Sequence, residues 1–424
     1  MFEVFRVFLV LGLTSFGGPS AHIGFFHEAF VVRRRWLGQQ AFGELLALCQ
    51  FLPGPASSQL GMGIGLHRAG MRGLVAAWLG FTLPSAVLMA AFAVGAPAIS
   101  AALGTGWLVG LGAAAVAIVV HAVFGMARTF APDGFGFLLA ALTLLCTIAF
   151  PHPFVPAIAI LLAGVAGAYR TDRSRGTNRS AISGAGAETS EDPRPPIVPA
   201  PDDAPLRIRL RTHTAVAALA LFFGLLLGLP LLAASSGGGV LTGVDSTYRA
   251  GALVFGGGHV VLPALQSAFV DTGAISPSSF FAGYGAAQAM PGPLFTFASY
   301  LGAEGAIPPG GAVSAAIATV VIFLPGALLL VGVLPFWTRV RGFAVAHRAL
   351  HGINAAVVGL LAAALVGAIA ASWFPEGAPR PTAIVLSLLA LAAITARRVP
   401  PWAVVLASGA IGALADAAAR GLAG

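Results

Sequence analysis

Two short motifs, each of which interrupts an apolar stretch with glycine or proline, occur twice in this chain. The first copies are Phe16-Gly17-Gly18-Pro19 and Gln50-Phe51-Leu52-Pro53-Gly54-Pro55. The second copies are Phe255-Gly256-Gly257-Gly258 and Gln288-Ala289-Met290-Pro291-Gly292-Pro293. The copies lie 239 residues apart for the first motif (255 minus 16) and 238 for the second (288 minus 50). This agreement indicates an internal duplication. Interrupted helices at matching positions of two repeats predict a substrate site near the middle of a membrane.

The composition is typical of an all-α polytopic membrane protein. Hydrophobic residues make up 58% of the 424 residues and charged residues 9%, whereas soluble domains contain about 25% charged residues. The net charge of +8 comes from arginines scattered between apolar segments, which favours membrane topology over nucleic-acid binding. Cys49 and Cys146 are isolated, so we expect no disulfide, metal site or cofactor. No cleavage site follows the first apolar segment, which we expect to be retained.

Apolar segments of near-spanning length fall into two groups, and we count about 13 of them. They cover residues 6–27, 40–66, 74–97, 107–127, 136–150, 153–169, 214–235, 251–270, 280–304, 312–336, 351–374, 382–396 and 401–418. Residues 170–213, between the groups, are rich in arginine and proline and cannot bury a core. We therefore expect a disordered cytoplasmic linker there.

The spacing divides the chain into two repeats, residues 1–169 and 241–424, with an unmatched connecting helix at 214–240. The duplication extends past the two motifs, because Thr82-Leu83-Pro84 matches Phe323-Leu324-Pro325. If each repeat contributes six spans and one extra helix separates them, the second repeat enters the membrane from the opposite side. The sequence therefore predicts two inverted-topology repeats with interrupted helices. The segments near 140–169 and 382–418 are short for a span of about 20 residues, so we expect them to be tilted or buried.

Arginine placement agrees with this topology except at one point. With the linker inside, Arg68, Arg72 and Arg128, the cluster at 339–348 and Arg397-Arg398 also fall inside, as cytoplasmic loops should. Counting spans puts Arg33-Arg34-Arg35 outside, unless the residues around Phe16 form a re-entrant hairpin. Without such a hairpin, either one span is miscounted or the arginine run forms a basic entrance that attracts anions.

The glycine and proline breaks supply the candidate binding groups. A helix that restarts after a break exposes backbone N–H groups, and its N-terminus attracts anions. Freed backbone groups at membrane depth must line a cavity or be buried in protein. A single break could instead reflect close packing of helices through small residues, but duplication of both motifs favours a binding site. The candidate substrate-binding residues are Gly17, Gly18, Pro19, Gln50, Pro53, Gly54, Pro55, Gly256, Gly257, Gly258, His259, Gln288, Pro291, Gly292, Pro293 and Thr296.

Neutral polar side chains surround both Pro-Gly-Pro turns. Gln50 and Gln288 can donate hydrogen bonds to an oxyanion without adding charge, and the hydroxyl residues Ser57, Ser58, Thr296 and Ser299 follow the turns. A neutral set of donors suits a dianion that must also be released. Hydrogen bonding between helices is the alternative for each hydroxyl taken alone.

Glu44, His22 and His259 are the proton-coupling candidates. An acid such as Glu44 within an apolar segment is costly unless it faces a cavity or a partner. His22 follows the first motif and His259 follows the second glycine run, so protonation near both halves is available. For His27 and Glu28, we favour solvation at the membrane interface over a role in transport.

With these motifs assembled, the chain resembles the chromate transporter family in its long, two-domain form. The matching stretches are Phe16-Gly17-Gly18-Pro19, Arg33-Arg34-Arg35-Trp36-Leu37, residues 44–55, residues 255–259 and residues 288–297. Gly38-Gln39-Gln40, which follows Trp36-Leu37, is neutral, whereas the resemblance implies acidic residues in that stretch of the family. The resemblance implies export of chromate from the cytoplasm across the cell membrane, which gives chromate resistance, with sulfate as a look-alike substrate.

Energetics agree with export. Moving a dianion out of a negative-inside cell gains about 4.6 kcal/mol per 100 mV, from about 2.3 per charge. Membrane potential, proton antiport or both could drive the transport. An oxyanion channel and a sulfate transporter of the same fold remain alternatives. A membrane enzyme is disfavoured, because the chain lacks paired cysteines, a haem motif and a dinucleotide-binding glycine pattern. The sequence leaves open whether the chain forms a homodimer.

Overall fold

The computed structural model describes residues 1–150, 152, 155–170, 206, 208, 210–235, 239–255, 258–340, 343–396 and 399–423. Within these ranges the regular structure is helical. The α-helices are α1 Phe2–Thr14, α2 Gly18–His27, α3 Gln39–Phe51, α4 Ala56–Leu103, α5 Gly106–Phe130, α6 Gly134–Ala149, α7 Val155–Tyr169, α8 Thr212–Ser235, α9 Val240–Ala252, α10 Val261–Phe269, α11 Pro277–Ala289, α12 Phe297–Leu301, α13 Gly311–Val333, α14 Trp337–Val340, α15 Ala344–Trp373, α16 Pro381–Thr395 and α17 Pro401–Ala423. Most of the predicted linker, 170–213, lies outside the described residues.

The first repeat begins with two short helical hairpins whose tips are the two motifs. In hairpin 1, α1 and α2 pack antiparallel, with the Phe8 ring 5.6 Å from Phe26 and 4.9 Å from Phe30. In hairpin 2, α3 pairs with residues 56–68 of α4, where Gly63 faces Leu45. At 13 residues, α1 is about 20 Å long, which is too short to cross a hydrocarbon core of about 30 Å.

The second repeat builds the same pair of hairpins. Hairpin 3 consists of α9, the second glycine motif and α10. Hairpin 4 consists of α11, the second Pro-Gly-Pro turn, α12 and the π-helical turn Gly302–Ala306. Tyr300 fixes hairpin 4, since its ring lies against Gly283 and its hydroxyl donates to the Ser279 carbonyl at 3.0 Å. Local signals start α11, where Ser276 caps the backbone N–H of Ser279 and Pro277 fills the first turn.

A long helix follows each pair of hairpins. In α4 the helical geometry breaks at Ala69 and Gly70, so that residues 71–103 turn back along hairpin 2. The corresponding helix of the second repeat is α13. Six helices are long and apolar enough to span a membrane among the described residues, namely α4, α5, α8, α13 with its 3-10 extension, α15 and α17. The predicted count of about 13 crossing segments is therefore not confirmed, because the hairpins supply pairs of shorter helices.

The helical pair that ends each repeat packs on the other repeat. Gly167 of α7 and Gly352 of α15 approach so closely that a side chain on either would meet the facing backbone. Gly110 of α5 meets Ser408 of α17 in the same way. Small residues allow such close packing of helices. Each repeat thus ends in a pair of helices that packs on a helix of the other repeat: α6 and α7 on α15, and α16 and α17 on α5.

The two long helices after the hairpins run in opposite directions. Near the end of α13, Gly332 faces Leu219 in the first turns of α8, whereas the residues just before α13 contact Gly243 at the start of α9. The base of hairpin 2 lies with the start of α8, since Leu206 donates its backbone N–H to Glu44 at 3.3 Å. We call the face that carries the start of α8 the linker face.

Arg34 belongs to the arginine run that counting of spans puts on the outer side. In the structure it lies on the linker face, together with Arg68. The guanidinium of Arg34 lies 5.9 Å from the centre of the Trp36 ring, and that of Arg68 lies 5.2 Å from it. Hairpin 1 therefore returns to the face from which it starts. This geometry is that of the hairpin alternative, in which the arginine run would lie on the same side as the linker. Arg341, Arg397 and Arg398 lie outside the described residues.

Candidate functional site

The four hairpin tips contact one another, and two backbone hydrogen bonds join tips from different repeats. The Gly54 N–H at the tip of hairpin 2 donates to the Val254 carbonyl in hairpin 3, at 2.7 Å. The Gly292 N–H at the tip of hairpin 4 donates to the Ser15 carbonyl in hairpin 1, at 2.9 Å. Val254 and Ser15 each stand one residue before a glycine motif. Each Pro-Gly-Pro turn is thus hydrogen-bonded to the glycine break of the other repeat.

In each repeat, one histidine connects the two hairpins near their tips. His22 lies 3.4 Å from the Ser57 hydroxyl and 3.2 Å from the Ser15 carbonyl, joining hairpins 1 and 2. His259 lies 2.8 Å from the Tyr284 hydroxyl and 3.4 Å from the Gln288 amide nitrogen, joining hairpins 3 and 4. Together with the two backbone bonds, these contacts close a ring of four tips. We call it the tip ring.

The two Pro-Gly-Pro turns require glycine for two reasons: the backbone has a positive φ, and neighbouring atoms leave too little space for a side chain. Gly54 has φ of 122° and Gly292 has φ of 94°, in the region where a side chain is strained. A Cβ on Gly54 would lie 3.2 Å from the Cα of Gly326, and one on Gly292 would lie 2.8 Å from the Ser85 hydroxyl. Gly326 and Ser85 each follow the proline of the matching Leu-Pro pairs. The turns therefore contact equivalent points of α13 and α4.

The glycine motifs also touch each other. A Cβ on Gly258 would come within 3.0 Å of the Pro19 ring, so hairpins 1 and 3 meet at matching positions of the two repeats. Gly17 and Gly18 have φ of 103° and 76°, and α2 begins at Gly18. Gly256 and Gly257 lie outside the described residues.

A helix begins at each tip, and this gives the tip ring its electrostatic character. The chain resumes α2 after Gly17, α4 after Pro55, a 3-10 turn at Gly258 and another at Leu294. The first N–H groups of a helix have no partner within the helix and carry a partial positive charge. Helix starts that meet in one place can bind an anion without a formal charge on the protein.

The predicted hydroxyl residues lie at the turns in different bonding states. Thr296 donates to the Pro293 carbonyl at 2.8 Å, and Ser299 donates to the Ala86 carbonyl at 2.8 Å. These two hydroxyls stabilise the turn and the contact with α4. The buried Ser58 hydroxyl has no hydrogen-bond partner among the described residues.

The two glutamines that precede the turns have unequal surroundings. Gln50 is exposed, whereas Gln288 is half-buried and reaches His259. A third glutamine, Gln59, which the sequence reasoning missed, is fully buried and donates to the carbonyls of Pro53 and Gly326 at 3.0 and 3.1 Å. Its position four residues after Pro55 was the available signal. Gln59 braces the tip of hairpin 2 against α13.

The proton-coupling candidates divide between two places. His22 and His259 belong to the tip ring, but Glu44 contacts Gln40 and the backbone of Leu206 on the linker face. No group of three or more His, Cys, Asp or Glu that could hold a metal ion occurs in the described ranges.

A second feature absent from the sequence predictions is an ion pair within hairpin 3. Asp245 and Arg249 of α9 pair one helical turn apart, beside a cavity of about 520 Å³. Charged residues inside a membrane helix are costly and usually have a function, so their presence in α9 was the signal.

The chain is similar to proteins that carry transport names. It is 28% identical to the "Chromate transport protein" of Pseudomonas aeruginosa, over 86% of this chain and 80% of the relative. It is 27% identical to the "Probable chromate transport protein" of Synechococcus elongatus, over 86% and 83%. An uncharacterized transporter of Methanocaldococcus jannaschii is 26% identical over 86% and 83%. No solved structure matches the chain.

The family comparison covers both repeats. The model described as "Chromate transporter" matches residues 2–168 and again residues 241–413, and these regions contain all four hairpins and both long helices that follow them. Together with the apolar spans, this match makes the chain a multi-pass membrane transport protein and not an enzyme. The protein belongs to the chromate transporter family.

Proposed function

We propose that this protein is a secondary transporter that exports chromate from the cytoplasm, with the tip ring as its substrate site. Sulfate, which has the same tetrahedral shape and charge, is the second expected substrate. The cell membrane is the expected location, and chromate resistance is the expected consequence for the cell.

The tip ring is the observation that carries the proposal. Four helix starts meet there, and the hydrogen bonds of Gly54 and Gly292 tie the tips together. The buried Ser58 hydroxyl and the half-buried Gln288 amide add neutral donors. A dianion is stabilised by such dipoles, and its release is easier than from an arginine clamp. The names of the similar proteins support chromate as the transported ion.

We infer that the two repeats have inverted topology and that the hairpins are re-entrant. The opposite directions of α4 and α13 support this arrangement, as do the hairpins whose ends stay on one face. In transporters built from inverted repeats, alternating access arises when one part moves against the other around a central site. Exchange of the closing helical pairs would let each repeat carry part of the other.

The direction of transport follows from the charge of the substrate. With the linker face inside, Arg34 and Arg68 lie on the cytoplasmic side, as the positive-inside rule favours. Export of a dianion then moves negative charge down the membrane potential, by about 4.6 kcal/mol per 100 mV. Proton antiport through His22 and His259 would add to this driving force, and Glu44 would serve as a proton relay near the linker face.

Uptake of chromate into inside-out membrane vesicles tests the proposal. Saturable uptake above empty-vector vesicles, competed by excess sulfate and reduced at least tenfold in Gln288→Ala, is expected. Counterflow in preloaded vesicles should occur for a carrier and not for a channel. Imposing a pH gradient tests proton coupling, since a rate that ignores the gradient excludes antiport. No uptake above the control vesicles would reject chromate export.

A further inference from the structure

A cavity runs along hairpin 3, from the face opposite the linker towards the tip ring. Its volume is about 520 Å³, and α9 and α10 form much of its wall. Exposed Thr242 and Thr272 lie at one end of the lining, and buried Val254 and Val260 lie at the other. Val254 is the residue whose carbonyl accepts from Gly54. We call this cavity the vestibule.

Arg249 is a cationic side chain in the wall of the vestibule. It lies in the last turn of α9, one turn before the tip of hairpin 3. Its side chain is 23% exposed, whereas that of its partner Asp245 is 4% exposed. The guanidinium therefore faces the vestibule, and the carboxylate lies behind it. Ser246 and Ser267 add hydroxyl groups to the same wall.

Asp245 weakens the positive potential of Arg249 in the vestibule but does not abolish it. A guanidinium alone in a poorly hydrated cavity would hold a dianion tightly, because the local dielectric is low. Asp245 neutralises the pair at long range, but an anion in the vestibule meets the arginine first. One carboxylate oxygen of Asp245 has no hydrogen-bond partner among the described residues, so Asp245 contributes chiefly through Arg249.

We propose that Arg249, held in place by Asp245, forms a second oxyanion site in the vestibule, between the tip ring and the face opposite the linker. Its ligand is a tetrahedral dianion, chromate or sulfate, on its way out of the tip ring. The pair sets how long the anion stays. The inference rests on the proposed transport function, and it assigns to Arg249 a role in release that the tip ring does not provide.

Thiol labelling tests the site without relying on transport. Ser246 stands three residues before Arg249 on the same helical face. A Ser246→Cys variant in a Cys49→Ala, Cys146→Ala background would be labelled with anionic and cationic methanethiosulfonate reagents of similar size. Purified protein in lipid nanodiscs is suitable. The control is Ala378→Cys, an exposed position away from the vestibule. Sulfate is the competing ligand, because chromate oxidises thiols.

The charge variants are chosen to avoid an unpaired buried charge. Arg249→Gln alone would leave the Asp245 carboxylate buried without a counter-ion, which destabilises proteins strongly. The double variant Asp245→Asn, Arg249→Gln replaces the ion pair by a neutral amide pair. Asp245→Asn alone removes only the neutralising charge, and Arg249→Lys keeps the positive charge without the planar fork.

The ratio of anionic to cationic labelling rates should follow the local charge. We expect Asp245→Asn to give the highest ratio, the parent background an intermediate one and the double variant the lowest. Each step should be about tenfold, as for one nearby charge in a partly hydrated site. Sulfate should slow labelling of Ser246→Cys in the parent and in Arg249→Lys, but not in the double variant. Equal ratios in all variants, or no protection by sulfate, would overturn the proposal.

Transport measurements separate this inference from the proposed function. In exchange assays with oxyanion on the vestibule side, the double variant should raise KM about tenfold, and Asp245→Asn should lower both KM and kcat. A parent protein that transports normally while the double variant keeps its KM would reject the vestibule site alone. A parent protein that is labelled as expected but transports no oxyanion would reject the transport function.

Discussion

At the scale of single residues, Gly54 and Gly292 are the positions where sequence, conformation and contact all agree. Both have positive φ, and both approach a neighbouring helix too closely for a side chain to fit without movement. The same N–H groups bind the glycine break of the other repeat. The tip ring therefore depends on these two glycines.

We predict that Gly54→Ala and Gly292→Ala each lower the free energy of unfolding by about 1–3 kcal/mol, the cost of a strained backbone position. Thermal unfolding in detergent measures the change. The matched control is Gly95→Ala, a helical glycine with open space around it, which should be neutral or stabilising by up to about 1 kcal/mol. Equal effects at all three positions would contradict the assigned geometry.

Comparing substitutions at Gln59 and Gln50 tests whether the hydrogen bonds of Gln59 stabilise the tip of hairpin 2. Gln59→Leu removes the donor to two carbonyls, so we expect a loss of about 1–3 kcal/mol in unfolding free energy. Gln50→Leu changes an exposed side chain and should leave stability within about 0.5 kcal/mol. Thermal unfolding of both variants is the measurement. A stable Gln59→Leu protein would show that Gln59 does not brace the tip.

At the scale of helices, the closing pairs depend on contacts between repeats. Gly352 of α15 faces the Ala163 backbone of α7. We predict that Gly352→Val pushes the helices apart and costs about 1–3 kcal/mol, measured by thermal unfolding. Gly125→Val on α5, which has no neighbour in reach of its Cβ, is the control. If the two variants unfold alike, the contact between α7 and α15 is not close-packed.

A polar cluster on the linker face holds the same helices. In the loop between α5 and α6, Asp133 accepts from the Gly136 N–H at 2.8 Å and pairs with Arg170 at 2.6 Å, while His351 lies 3.6 Å away. Partial burial raises the pKa of this carboxyl, but the Gly136 N–H, Arg170 and His351 together hold it below its usual range.

Asp133→Asn keeps a capping side chain and removes the charge, so we expect a loss of about 0.2–1 kcal/mol at neutral pH. Because the folded pKa is depressed, this contribution is complete above the unfolded value of about 3.9 and disappears as pH falls through the folded value. Unfolding measured at several pH values checks this. A difference between wild type and variant that persists in strong acid would contradict the assignment.

The sequence predicted where the helices are interrupted, and the structure shows which residues contact these interruptions. The duplicated motifs predicted interrupted helices, and the tips of all four hairpins carry those motifs. The count of about 13 spans was not confirmed, because composition does not separate an apolar helix that is too short to span from one that spans. The link between Gly54 and Val254 could not be predicted, since it joins residues of different repeats. Arg249 and Asp245 were missed because they lie outside the repeated motifs.

At the scale of the whole molecule, the proposed orientation places the linker face in the cytoplasm and the opposite face outside. Arg34→Cys, on the linker face, should be labelled by an impermeant thiol reagent in inside-out vesicles and protected in intact cells. Ala378→Cys, after the other end of α15, should behave in the opposite way. The Cys49→Ala, Cys146→Ala background serves as the unlabelled control. Labelling of both positions from one side would overturn the proposed orientation.

If the tip ring binds the oxyanion, anomalous scattering from chromium will locate the bound ion there. Crystals of the protein soaked in chromate should give an anomalous peak between the four tips, next to the helix starts at Gly18, Ala56, Gly258 and Leu294. A Gly292→Ala protein should lose this peak while keeping its fold. A chromium peak elsewhere in the protein, with none at the tip ring, would contradict the account.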